Sequence, residues 1–150
     1  MKKFSDALSH HSLIAIDTSV FIYHIEENRR YLPFTKIILE SLLPDGRINA
    51  MCSSLVISEL LVRPLKEKRL DLVLAYKALV MGFPHLTTIP LDNEIAEQTA
   101  FFRATYNLRT PDAVHIATAF AQRATAIIGN DRRWKRIKEL DVIVLSDFLR

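Results

Sequence analysis

A parallel α/β sheet with helices on both faces is the fold this sequence predicts. Short β-rich apolar runs alternate with longer stretches of helical apolar spacing along the chain, and cap or breaker residues mark the changes of pattern. Strands separated by helices are joined by crossovers, which leave the strands parallel and cover both sheet faces. At 150 residues, 49% hydrophobic and 25% charged, the chain reads as one globular domain spanning 1–150, with 1–12 as an N-terminal extension.

Leu13 to Asp17 reads as a buried strand, and Thr18 or Ser19 caps a helix through Val20, Phe21, Tyr23, His24 and Glu26. Pro33 opens a second helix carrying Phe34, Ile37, Ile38, Leu42 and Leu43, which Pro44-Asp45-Gly46 stops. Arg47 to Cys52 is a short strand. Ser53 or Ser54 caps the next helix, and Pro64 ends or kinks it. Leu70, Val73, Leu74, Lys77, Ala78 and Met81 keep helical spacing as far as Gly82-Phe83-Pro84. Leu86 to Ile89 is a strand. Asp92 caps a long helix that turns Ile95, Ala96, Thr99, Phe102 and Tyr106 inward. Thr110-Pro111-Asp112 supplies the cap, proline and first-turn acid of a helix running on to Arg123. Ala124 to Ile128 and Val142 to Leu145 are again β-rich.

Composition narrows the function classes. The lone Cys52 forms no internal disulfide and reads as a buried thiol, which suits a reducing compartment. No uncharged run approaches the roughly 20 residues of a membrane span, and the start is a poor signal peptide, so a cytoplasmic protein is expected. Three glycines leave no Gly-rich phosphate loop. Net charge is only +3, but five basic residues, Arg132, Arg133, Lys135, Arg136 and Lys138, follow Asp131 directly. Beside an acidic site such a run suits a polyanion gripped by its phosphates; away from one it is a solvated helix face.

Four acids define the candidate site. Asp17 ends the first strand, Glu59 sits among Ile57, Leu60 and Leu61, Asp112 opens a helix, and Asp131 follows Ile128-Gly129-Asn130. Each alone has a plain structural reading, as a cap, a dipole partner or a solvated helix position. Together they fit a ligand site, because open parallel sheets bind at the carboxyl ends of their strands. Converging carboxylates need their repulsion offset, and a divalent cation does so directly.

These residues resemble the PIN-domain family of metal-dependent ribonucleases, and most closely its small VapC-type toxins. The resemblance runs from Leu13 to about Leu145 through Ile14-Ala15-Ile16-Asp17-Thr18-Ser19-Val20, Ser58-Glu59-Leu60-Leu61, Thr110 to Ala119 and Ile128-Gly129-Asn130-Asp131. It implies a three-layer α/β/α fold with a central, mainly parallel sheet of four to five strands. It also implies Mg²⁺ or Mn²⁺ held by Asp17, Glu59, Asp112 and Asp131 as the catalytic acids, an RNA substrate, a homodimer and an antitoxin partner. An antitoxin Arg would pair with Asp17, Glu59 and Asp112. Gly129 departs from the family's usual threonine or serine, and Met1 to Ser12 lengthens the start.

Phosphodiester hydrolysis fits the same residues: hard cations on carboxylates supply an activated water and charge relief. Asp17 and Asp112 are the expected primary ligands, with Glu59 acting through water and Asp131 on a second ion. Thr18, Ser19 and Asn130 would orient the carboxylates, and Arg132, Arg133, Lys135 and Arg136 would hold RNA. His115 reads as a packed, hydrogen-bonded core group, Trp134 as a core anchor or a base-stacking ring, and His10-His11 as exposed tail. Apolar Tyr23, Ile25, Tyr31 and Phe34 are expected at a dimer contact. An aspartyl phosphohydrolase needs an Asp where Ser19 stands. A housekeeping RNA-processing enzyme and a non-catalytic binding module remain as alternative functions.

Overall fold

The computed structural model describes residues 1–149. Strands β1 (Leu13–Ile16), β2 (Asn49–Ser53), β3 (Leu86–Ile89), β4 (Ala126–Gly129) and β5 (Asp141–Val144) form one sheet in the order β3-β2-β1-β4-β5. Every pairing in it is parallel. Successive strand residues point to opposite faces, and this alternation divides the core in two. Ile14, Ile16, Ala50, Cys52, Ala126 and Ile128 join one buried cluster, while Ala15, Met51 and Ile127 join the other.

The first face is covered by α1 (Lys2–Leu8), α2 (Thr18–Ile25), α3 (Leu32–Lys36), α4 (Leu55–Lys66) and α5 (Leu70–Gly82). The second is covered by α6 (Asn93–Tyr106), α7 (Thr110–Ala121) and the 3₁₀ turn Arg132–Arg136 that carries Trp134. The layers are therefore α/β/α, as the sequence predicts. Residues before the first motif are part of the packing: Phe4 and Leu8 of α1 are buried, and Phe4 meets Phe34 and Phe148 edge-on at 5.1 Å each. No helix among the described residues is long and apolar enough to cross a membrane.

Several local expectations change. The helix opened by Pro33 passes into a π-helical stretch, Ile37–Leu42, with Leu43 N–H donating to Ile38 O at 3.0 Å. Ile38, Leu39 and Leu43 are all in the core, and the wider turn brings Leu43 over Ile38, five residues earlier. Pro64 does not end α4; it is buried inside the helix, which continues to Lys66. Ala96 faces solvent, whereas Ile95, Thr99 and Phe102 face inward. Arg109, not Thr110, is the residue before α7, and Thr110 is already helical. The His10-His11 pair divides: His10 is exposed, but His11 Nδ1 lies 2.9 Å from Thr125 Oγ1.

Gly129 is explained by close approach. A Cβ there would stand 3.0 Å from the Trp134 ring and 3.3 Å from the Asp17 Cβ. The ring takes the space that a side chain at 129 would need. Gly129→Thr is therefore expected to overpack the join of β4 to the 3₁₀ turn and cost about 1–3 kcal/mol, measured by urea denaturation. Burial pushes the Cys52 thiol up to about 11. It is a neutral thiol at neutral pH, so a thiol reagent should label it at the rate of unfolding in buffer and rapidly in denaturant.

Candidate active site

Along the chain, β1, β2 and β3 build outward on one side, and β4 then returns to the other flank of β1. The crossovers at β1 and β4 thus lead apart, leaving a crevice beyond their carboxyl ends. Asp17 and Asp131 follow these two strands. Asp17 N–H donates to Ile128 O at 2.9 Å, so the acid is fixed to β4 by the last rung of the ladder.

Of the caps the sequence offers for α2, Thr18, Ser19 and Asp17, it is Asp17 that takes the N-cap position. Its Oδ2 accepts from Ser19 N–H at 3.2 Å and from Ser19 Oγ at 2.6 Å. Thr18 lies inside the helix, and its freed hydroxyl donates to Glu59 Oε1 at 3.1 Å. Both hydroxyls therefore orient carboxylates.

His115 is the residue that sequence reasoning underrated. It is buried, as expected of a packed core group, but its hydrogen-bond partner is the acid on α4: Nε2 lies 2.6 Å from Glu59 Oε1. The same nitrogen is 3.7 Å from Asp17 Oδ1 and 3.3 Å from Thr18 Oγ1. The short carboxylate contact requires a proton on Nε2. Nδ1 is buried without a partner among the described residues. One signal was available in the sequence: His115 lies three residues past Asp112, on nearly the same helix face.

The two linked acids differ electrostatically. Burial pushes Asp17 up, and the opposing His115 and Ser19 do not cancel it, so its carboxyl stays above its ordinary value. Burial also acts upward on Glu59, but the hydrogen bond and charge of His115, with the Thr18 hydroxyl, outweigh it and hold Glu59 below the usual range. Asp17 is thus a carboxylate whose charge its surroundings do not fully compensate.

The other two acids share a small cavity of about 40 Å³ with Arg109, Arg133 and Trp134. Asp112 is half-buried there, with exposed Arg109 Nε 3.4 Å away. Asp131 caps the 3₁₀ turn, and Arg133 reaches back to grip it, Nε at 3.0 Å and Nη2 at 2.5 Å. The Arg133 hydrogen bonds hold Asp131 below the usual carboxylate range.

The basic run is internally paired. Arg132 meets Asp147 at 3.1 Å, Lys135 meets the same carboxylate, Arg133 meets Asp131, and Arg136 meets the Tyr106 carbonyl. Asn130 accepts from Ser146 N–H at 2.9 Å and donates to Tyr23 Oη at 2.9 Å, so it braces the loop. Trp134 is buried in the second cluster, which leaves the core-anchor reading and removes base stacking.

The donor set is all oxygen, as a hard divalent cation requires. Among the described residues no three acid, histidine or cysteine groups stand as a closed ligand set. Mg²⁺ commonly takes only one or two carboxylates and keeps its waters. The undercompensated Asp17, linked through His115 to the partly exposed Glu59, therefore fits such an ion in chemistry and access.

Comparison with known proteins agrees with this fold. The chain is similar in fold to a toxin–antitoxin complex from Klebsiella pneumoniae, with TM-score 0.65 and 22% identity over 88% of this chain and 97% of that one. It is similar to VapBC-1 from nontypeable Haemophilus influenzae, with TM-score 0.66 and 17% identity over 89% and 98%. It is similar also to VapBC2 from Rickettsia felis bound to a DNA fragment from their promoter, with TM-score 0.65 and 17% identity over 87% and 96%. No curated protein matches it by sequence. The profile of the PIN domain matches residues 14–140, a span that contains all four acids and most of both cores, and the chain belongs to the PIN-domain family.

Proposed function

We propose that this protein is a VapC-type endoribonuclease that cleaves cytoplasmic RNA phosphodiesters with Mg²⁺ or Mn²⁺. The observation that carries the reading is the undercompensated carboxylate of Asp17 at the sheet's switch point, coupled through His115 to Glu59. Asp17 and Asp112 are the groups that would hold the ion, with Glu59 acting through water and Asp131 on the far side of the crevice. A divalent cation, when bound, supplies charge relief at the phosphoryl oxygens and acidifies water. Ser19 and Thr18 keep their carboxylates oriented, and His115 holds Glu59 in place. Arg109, Arg132, Arg133 and Lys135 are exposed, so their ion pairs exchange readily for phosphate contacts.

Asp112→Asn removes a charge at nearly constant shape, and the Arg109 side chain that pairs with it is exposed. It is expected to reduce metal-dependent RNA cleavage to background while thermal stability stays within about 0.5 kcal/mol of wild type. Structured RNAs incubated with and without Mg²⁺ or Mn²⁺, with the cuts mapped, give the test; full activity in the variant refutes the assignment.

The partners we infer are an antitoxin and a second copy of the chain. The solved neighbours described above are toxin–antitoxin complexes, which supports the first. An unpaired apolar ridge supports an interface: Leu65, Leu70, Leu74 and Met81 on α4 and α5 are 54%, 68%, 68% and 66% exposed. The positions anticipated for pairing are packed, wholly or in part, on the first core cluster. Phe34 is buried, and Tyr23, Ile25 and Tyr31 are partly buried against the first cluster. Light scattering is expected to give twice 17.2 kDa for the wild type and a monomer for Leu74→Glu with Met81→Glu; a dimer that survives both charges moves the interface elsewhere.

A further inference from the structure

We propose that Tyr31, backed by Tyr23 and overhung by Arg30, is a stacking seat for one unpaired base of the RNA, beside the acid at 131. The inference rests on the ribonuclease reading above and adds to it a binding site for the nucleobase. The Tyr23 and Tyr31 rings are stacked, with centroids 4.4 Å apart and planes at 24°. Tyr23 stands in α2, and Tyr31 is the residue before α3, so the pair joins two elements packed on the first core cluster. Such a platform is rigid, and a base gains stacking energy on it without first having to order it.

The platform is tied to the site. Tyr23 Oη accepts from Asn130 Nδ2 at 2.9 Å, and Asn130 precedes Asp131. Asn130 Oδ1 in turn accepts from Ser146 N–H, which pins that loop to the end of β5. An open groove of about 630 Å³ runs between the two, lined by Arg30, Tyr31, Asn130, Asp131 and Arg132. A base on Tyr31 would therefore lie in the same groove as the acid, with its phosphates toward exposed Arg30 and Arg132.

Arg30 supplies the closing surface. Its guanidinium carbon is 5.9 Å from the Tyr31 centroid, a loose contact for a cation over a ring. Two flat groups with a base between them stand about 7 Å apart, so a small outward swing of this exposed side chain admits one. Aromatic faces with Arg are read by any unpaired base, through its π-face and not through hydrogen-bonded edges. A flat ring stack with an arginine lid favours a nucleobase over an acidic peptide, which would use the arginines and leave the rings idle.

The test is single-stranded RNA carrying 2-aminopurine, titrated with the full chain in the absence of divalent cations so that no cleavage occurs. Wild type is expected to quench the probe on binding, and Tyr31→Phe to keep the quenching. Tyr31→Leu is expected to abolish it and weaken binding on the order of tenfold. Arg30→Ala, at an exposed position where folding is not in question, is expected to reduce both quenching and affinity. Binding by the wild type with unchanged fluorescence, as for a peptide-type contact through arginines alone, overturns the seat and leaves the ribonuclease reading intact. Unaltered quenching and affinity in both Tyr31→Leu and Arg30→Ala overturn it likewise. No RNA binding by the wild type overturns both.

Discussion

A largely buried carboxylate at the end of a parallel strand with only Leu13 partly exposed is the constraint on which the rest of this structure depends. Burial alone would drive Asp17 toward its neutral form, and the charge is retained only as far as its neighbours compensate it. The compensation is assembled from three elements. Ser19 contributes two donors from the first turn of α2, and His115 contributes the edge of its ring from α7. The Asp17 backbone is held by β4. What remains uncompensated leaves the carboxyl above its ordinary value.

The same group explains why helices from opposite faces of the sheet meet over its edge. α4 belongs to the first core layer and α7 to the second, yet Glu59 and His115 close to 2.6 Å above the carboxyl ends of the strands. A short hydrogen bond between a ring N–H and a carboxylate is among the stronger polar contacts available to a protein. Here it fixes two acids relative to each other before any ligand arrives. Preorganisation of this kind matters for a site built on negative charge, whose members would otherwise turn away from one another. Gly129 has a related part: its missing side chain lets the Trp134 ring and Asp17 approach the end of β4 together.

The surface presents the opposite arrangement, pairs that exchange easily. Arg132 and Lys135 share Asp147, and Arg133 holds Asp131, the basic side chain of each pair being largely open to water. Exposed ion pairs contribute little net stability. Exchanging these partners for others would therefore disturb the fold little. The apolar ridge of α4 and α5 is different in kind, because nothing among the described residues covers Leu70, Leu74 or Met81.

Strand alternation, the sheet's burial, the crossovers and the identity of the four acids are all legible in the sequence, because period and punctuation are local properties. Apolar runs such as Ala126–Ile128, and the proline and acid at the start of α7, say what they are within a few residues. Contacts between distant segments are not local. The sequence could place His115 on the face of Asp112, but the partner 56 residues away in α4 depends on how two layers close over the sheet. Nor could it show that Leu70, Leu74 and Met81, regular in spacing, face away from the core, because periodicity defines a face without saying what packs on it. The pairing of Arg132, Lys135 and Arg136 was decided in the same way, by Asp147 and Tyr106 arriving from other parts of the chain. Residue chemistry and local period come from the sequence; which charges compensate which, and which apolar surfaces stay open, only the tertiary structure decides, since both depend on distances between segments that no local pattern encodes.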